Sequence, residues 1–240
     1  MPFTLRGAWR AAHDLNPETV SVEIDVNTTF AMLLATAAGF AVLHTAAGPD
    51  HYLPFVAMGR AGRWSLGRTL RVAALCGAGH LLAAVGLGLV VLFAGRAALD
   101  AVGWVDHERG HLAAWLLIAF GAAYGLWGLR RALRNRAEIA PDVVEKRGLA
   151  AWILFLVFVL GPCEPMIPLL VAGAAKLSVL GAMIVCAVYS LLTLLTMLAL
   201  VAVGHVGLAR IRAATIERFT PALAGAAVAG CGVAMMFHHH

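Results

Sequence analysis

Residues 149–175 read LAAWILFLVFVLGPCEPMIPLLVAGAA. The run is apolar and longer than the about 20 residues a helix needs to cross a bilayer. Yet Gly161 and Pro162 stand near its middle, Pro165 and Pro168 follow, and Glu164 is its one charged residue. Proline has no N–H and disfavours helix in the residue before it, so the spacing predicts a spanning helix broken at the Gly-Pro step. Backbone groups freed at membrane depth are tolerated only where they are buried in protein or line a wet cavity, and half-helix ends there are natural ion sites. A carboxylate in such a run costs about 2.5 to 3.5 kcal/mol on insertion scales unless it is paired, protonated or hydrated. Glu164 therefore needs a compensating group.

Further apolar runs lie at 30–47, 72–94, 112–129, 179–204 and 219–237. Each is near or above the roughly 18 residues of a spanning helix. The composition agrees: 61% apolar and 13% charged, where a soluble domain needs about a quarter charged residues. The expected fold is an all-α polytopic membrane protein with six transmembrane helices.

The formal charge of +5 points to membrane topology, not to nucleic acid. Arg60, Arg63, Arg68 and Arg71, then Arg130, Arg131, Arg134, Arg136, Lys146 and Arg147, then Arg210, Arg212 and Arg218 make up 13 of the 18 Lys and Arg residues, all on one side of a six-helix topology. By the positive-inside rule those loops are cytoplasmic and both termini are outside. This organisation gives an extracytoplasmic tail at 1–28, a first three-helix unit at 29–134, a cytoplasmic linker at 135–148 and a second three-helix unit at 149–240. The tail has no apolar core of signal-peptide length, and Val20, Val22, Ile24 and Val26 alternate as in a short strand. Cys76, Cys163, Cys186 and Cys231 all fall in apolar runs, which argues against an extracellular disulfide framework. His238, His239 and His240 are given no role.

The two units share a pattern. Gly48-Pro49-Asp50-His51 matches Gly161-Pro162-Cys163-Glu164, with Pro54 and Pro168 downstream, and Ser65 pairs with Ser178 at the same offset. Gly59 with Gly173 and Gly67 with Gly181 fit after a slip of one residue, and His80 falls opposite Thr193. Three helices per unit place the second copy upside down, the inverted-repeat plan of many secondary transporters. Helices one and four are the discontinuous ones.

The ionisable residues gather at the breaks. His44, Asp50, His51, Cys163 and Glu164 offer imidazole, carboxylate and thiolate, a set suited to nickel, cobalt or zinc better than to magnesium or calcium. Cys76 and His80 stand one turn apart on helix two and form a second rank. Each has a plainer reading. Asp50 and His51 fit a solvated loop pair, Cys163 a small buried hydrophobe, and His80 an internally satisfied histidine. Cys186, Tyr189, Ser190, Thr193 and Thr196 form a polar stripe on helix five, while Gly121 and Gly125 on helix three read as a packing signal.

His44-Thr-Ala-Ala-Gly-Pro-Asp50-His51 on the first helix of a six-helix chain resembles the histidine-aspartate-histidine signature of the nickel/cobalt transporter superfamily, its urease-accessory transporter-like branch above all. The resemblance runs from about Phe30 to the end; its second motif, Gly161-Pro162-Cys163-Glu164-Pro165, is the less specific. It implies a secondary transporter, not an enzyme, in a bacterial inner membrane. Its cargo would be a transition-metal ion, with no permanently bound cofactor. Lipids surround such a chain; a second copy or a metal-delivery protein are its candidate partners, and nucleic acid is not. The same superfamily is similar to the membrane thiol-disulfide carriers of cytochrome c maturation. In that alternative Cys163 would be the working thiol, and Cys76 the second thiol that resolves a mixed disulfide.

A third class is raised by His107-Glu108-Arg109-Gly110-His111, which matches the H-E-x-x-H pattern of zinc proteases. The expected context is wrong for it: a short outer loop before helix three, Gly110 lowering helix propensity, and no evident third ligand. An outward-facing metal antenna, with Asp106 adding charge, and a ligand-free interfacial loop are the other readings. No P-loop is present, so energy for transport within this chain would come from an ion or potential gradient, with Glu164 protonation as the candidate coupling step.

Overall fold

The fold is that of a computed structural model, which describes residues 26–133, 148–161, 166–210 and 214–238. Among the described residues every regular element is helical. The strand-like alternation at 20–26 falls almost wholly outside them.

Helix α1, Val26–Ala47, stops where proline dictates. Gly48 is extended, at φ −90° and ψ 95°, and Pro49–His51 form one 3-10 turn before α2, Leu53–Ala61. Pro54 sits in the first turn of α2, where a missing N–H costs nothing. The Ser65 side chain accepts from the Arg68 N–H and caps α3, Leu66–Ala94. Gly95, with φ 72°, makes the corner into α4, Arg96–Leu133, because the left-handed region favours a residue without Cβ.

Further along is α5, Leu149–Leu160, and the 149–175 run does break. Gly161 leaves the helix at ψ 143°, and α6, Met166–Lys176, resumes beyond it. Ser178 caps α7, Val179–Ala209, by accepting from the Gly181 N–H, and α8 is Ala214–His238. Ser65 and Ser178, paired in the sequence pattern, thus do the same work at the start of the long helix after each break.

Five of these helices are long and apolar enough to cross a bilayer: Val26–Ala47, Leu66–Ala94, Trp104–Leu133, Val179–Leu208 and Arg218–Phe237. The sixth apolar run is instead two short helices, α5 and α6, neither of spanning length alone. Large side chains such as Leu43, Leu82, Phe93 and Val203 face outward while Thr45, Thr69, His80, Asp106 and Thr193 are buried. An apolar exterior around a partly polar interior is the distribution a lipid solvent selects. The chain fits a multi-pass helical membrane protein.

Two apolar clusters make the interior. One gathers Phe55, Met58, Ala73, Cys76, Leu117, Leu154, Met197 and Val201; the other gathers Ala37, Ala41, Leu81, Met166, Leu170, Val185 and Tyr189. Helices α3 and α7 run through both. On α3 the change of cluster falls between Cys76 and Leu81, at His80; on α7 it falls between Tyr189 and Met197, around Thr193.

Helices α4 and α8 pack on glycine. A Cβ at Gly121 would stand 2.6 Å from the Gly225 carbonyl oxygen, and one at Gly128 would stand 2.6 Å from the Ala222 nitrogen. Gly121 serves the packing role expected of it, and small residues are what let membrane helices approach this closely. At the end of this pair, Arg218 donates to the Ala132 carbonyl oxygen in the last turn of α4.

One expectation needs correction. Residues 107–111 are not in a loop: α4 is continuous from Arg96, so the H-E-x-x-H segment is helical. A single internal glycine costs only about 1 kcal/mol relative to alanine, and the interruption between the helices falls earlier, at Gly95.

Candidate functional site

The break after α1 opens into a cavity of about 250 Å³. His44, Gly48, Pro49, Asp50 and His51 line it from the first unit, His80 from α3, Phe158 and Gly161 from the end of α5, Leu117 from α4 and Met235 from α8. The cavity lies where the two apolar clusters hand over along α3, which is why its wall carries polar groups.

His44 occupies the last turn of α1 with its ring stacked on Phe40, at 5.7 Å between centroids. Its backbone carbonyl accepts from the Gly48 N–H at 3.0 Å, closing the helix. His51 is turned back toward the break: its Nδ1 is 3.3 Å from Asp50 Oδ2 and 3.3 Å from the Gly48 carbonyl oxygen. Both neighbours are acceptors, so Nδ1 carries the proton and the neutral ring keeps its lone pair on Nε2. Gly48 is required for this approach, because a Cβ there would lie 2.7 Å from His51 Nδ1 and 3.0 Å from Asp50 Oδ1.

His80 is buried, and its Nδ1 lies 2.9 Å from the Phe158 carbonyl oxygen. By the same logic Nδ1 donates and Nε2 holds the lone pair. The end of α5 has orphan carbonyls like any helix end, and the next one, Val159, accepts from Arg109 of α4. Arg109 is itself held by Asp106, at 3.4 Å. Two polar side chains from other helices thus finish α5 at its break.

The three imidazoles converge. Ring centroids are 5.0 Å apart for His44 and His51, and 6.4 Å apart for His51 and His80, with edge-on angles of 80° and 89°. With metal–nitrogen bonds of about 2.0 to 2.1 Å, two rings on one ion have centroids roughly 4.5 to 6.4 Å apart. The centroid spacings fall in that range; the nitrogens do not yet point at a common centre. Among the described residues no three His, Cys, Asp or Glu side chains are arranged to hold a metal ion as they stand.

Other anticipated residues lie elsewhere. Cys76 belongs to the first apolar cluster and does not line the cavity, although it is one turn from His80. Cys163 and Glu164 lie outside the described residues. Tyr189, Ser190 and Thr193 of the hydroxyl stripe are not part of this lining, and the buried hydroxyls of Ser190 and Thr193 have no hydrogen-bond partner among the described residues. His107 and His111 are on the exposed side of α4, with their Nε2 atoms 3.1 Å apart.

Sequence reasoning gave Asp106 only to an outward antenna and missed Arg109, Leu117 and Met235. Arg109 and Asp106 carried a signal, as charges inside what is now a long apolar helix; Leu117 and Met235 carried none, being apolar residues among many. Comparison with models of protein families finds no match, and comparisons with curated proteins and with solved structures find none either.

Proposed function

We propose that this chain moves a divalent transition-metal ion across a membrane, nickel or cobalt before zinc, through the cavity at the first helix break. The observation that carries the reading is the convergence of His44, His51 and His80 on one cavity, from two helices and the turn between them, with Asp50 beside His51. Three imidazoles and a carboxylate suit late first-row metals, whereas magnesium and calcium take oxygen ligands almost alone. In this reading the rings reorient when the ion enters, since among the described residues no three ligating side chains are arranged to hold one as they stand. Cys163 and Glu164 supply the second break's contribution in this reading, and Glu164 takes up and releases the coupling proton.

Alternating access then needs two broken crossings that rock against each other. Helices α5 and α6, with 12 and 11 residues, laid end to end cover about 35 Å, enough for the about 30 Å core of a bilayer. Counting them as one crossing gives six, with both termini on the extracytoplasmic side of a bacterial inner membrane. The matched caps Ser65 and Ser178, and the placement of His80 and Thr193 at the two cluster boundaries, support two inverted three-helix units.

The test is ion flux into proteoliposomes containing a metal-sensitive dye, with nickel, cobalt, zinc, copper, manganese and magnesium offered in turn. The expected result is saturable flux of one late transition metal that is lost in His51→Ala and Glu164→Gln and kept in Glu108→Gln. Absence of flux for every metal ends this reading.

A further inference from the structure

We propose that His107 and His111 form a second metal site, on the exposed face of α4, which chelates a divalent transition-metal ion through their two Nε2 atoms with water in the remaining positions. The two nitrogens are 3.1 Å apart and the rings meet at 4.5 Å between centroids and 75° between planes. For metal–nitrogen bonds of about 2.0 to 2.1 Å, that separation corresponds to a ligand–metal–ligand angle of roughly 95 to 100°. This lies between the octahedral and tetrahedral values, so little rearrangement is needed to admit an ion. The pair owes its geometry to the helix, since residues four apart stack on one face.

The same two turns send Asp106 and Gly110 inward and leave His107 exposed and His111 partly so. Asp106 is engaged by Arg109, so it leaves the pair as a two-histidine site. No third protein ligand joins it among the described residues, which separates it from a protease centre and makes it an exchangeable chelate. At present one Nε2–H donates to the other Nε2. When an ion binds, the donating ring moves that proton to its Nδ1 through solvent, each Nε2 lone pair goes to the metal, and no redox partner is involved. Leu117, on the cavity wall, is six residues further along α4, about 9 Å on the helix axis. An ion held at the pair is thus concentrated close to the cavity.

The site stands whether or not the cavity transports. The experiment uses the full chain in detergent with His238, His239 and His240 replaced by alanine, and Cu²⁺ as the probe, read by electron paramagnetic resonance. The expected result is a Cu²⁺ signal with coupling to two imidazole nitrogens that disappears in His107→Ala and in His111→Ala and persists in His51→Ala, separate from any signal of the cavity. Because both histidines lie at the surface, these variants should keep the parent melting temperature; His107→Asn and His111→Asn provide a second pair with polar surface retained. No two-nitrogen signal in the parent, or its survival in the α4 variants, overturns the site. Absence of metal flux in the parent chain with the signal intact refutes the transport reading alone.

Discussion

His80 Nδ1 stands 2.9 Å from the carbonyl oxygen of Phe158, joining the middle of α3 to the last turn of α5 across 78 positions of sequence. The contact has two roles at once. It gives the Phe158 carbonyl a second donor beside the Gly161 N–H, which lies 3.1 Å away, and it orients the ring so that Nε2 is the nitrogen available to a ligand. Structure and proposed chemistry therefore rest on different atoms of one side chain, which makes them separable by mutation.

His80→Ala should lower both stability and flux. The Phe158 carbonyl keeps the Gly161 N–H and loses its shorter partner, a net hydrogen bond of about 0.5 to 1.5 kcal/mol, visible as a lower melting temperature in detergent. His80→Asn keeps a donor near Phe158 and should recover most of the stability while flux stays at a tenth of the parent or less. Flux that recovers together with stability would assign His80 a purely structural role.

Gly48→Ala should disturb the site with little effect on the rest of the fold. The added Cβ meets His51 Nδ1 at 2.7 Å and must push the ring away from Asp50. Losing such an orienting contact typically weakens metal handling by about 10- to 100-fold. The double variant Gly48→Ala/His51→Ala should be no worse than His51→Ala alone, because both act through the same ring. Additive losses in the flux assay would mean that Gly48 acts elsewhere.

Flux should fall as the medium is made acidic. Only the neutral ring carries a lone pair for a metal, so protons compete with the ion and the loss lies on the acid side. Raising the metal concentration should move the acid limb to lower pH. An acid limb that ignores metal concentration would place the titrating group outside the binding step.

Gly225→Leu should undo the α4–α8 pairing. A Cβ at Gly225 would sit 2.5 Å from the Gly121 carbonyl oxygen, with backbone rather than a movable side chain in the way. Gly230→Ala on the same helix meets nothing within 4 Å and should be tolerated. Thermal melting of the two variants side by side checks the contrast, and equal melting temperatures would remove α4–α8 packing as a determinant of stability.

The breaks were legible in the sequence because they are local. Pro49 and Pro162 act on their own backbone and on the residue before, and the helices end at Ala47 and Leu160 whatever surrounds them. The membrane class was legible because composition sums over the chain, and Gly121 was legible as packing because small residues in apolar helices have few other uses. The loop expected at 107–111 failed because one glycine was weighed as a breaker when a continuous helix on either side absorbs it.

The sequence by itself determined that this chain is apolar, helical and interrupted at Gly48 and Gly161, since those properties follow from each residue's transfer energy and backbone chemistry. Only the tertiary structure decided which polar residues meet. Cys76 and His80 are one turn apart, yet the first is packed into an apolar cluster and the second lines the cavity, because the boundary between the two clusters passes between them. That boundary is set by how α5, α6 and α7 pack around α3, a sum of contacts distant in sequence, and no spacing along the chain encodes it.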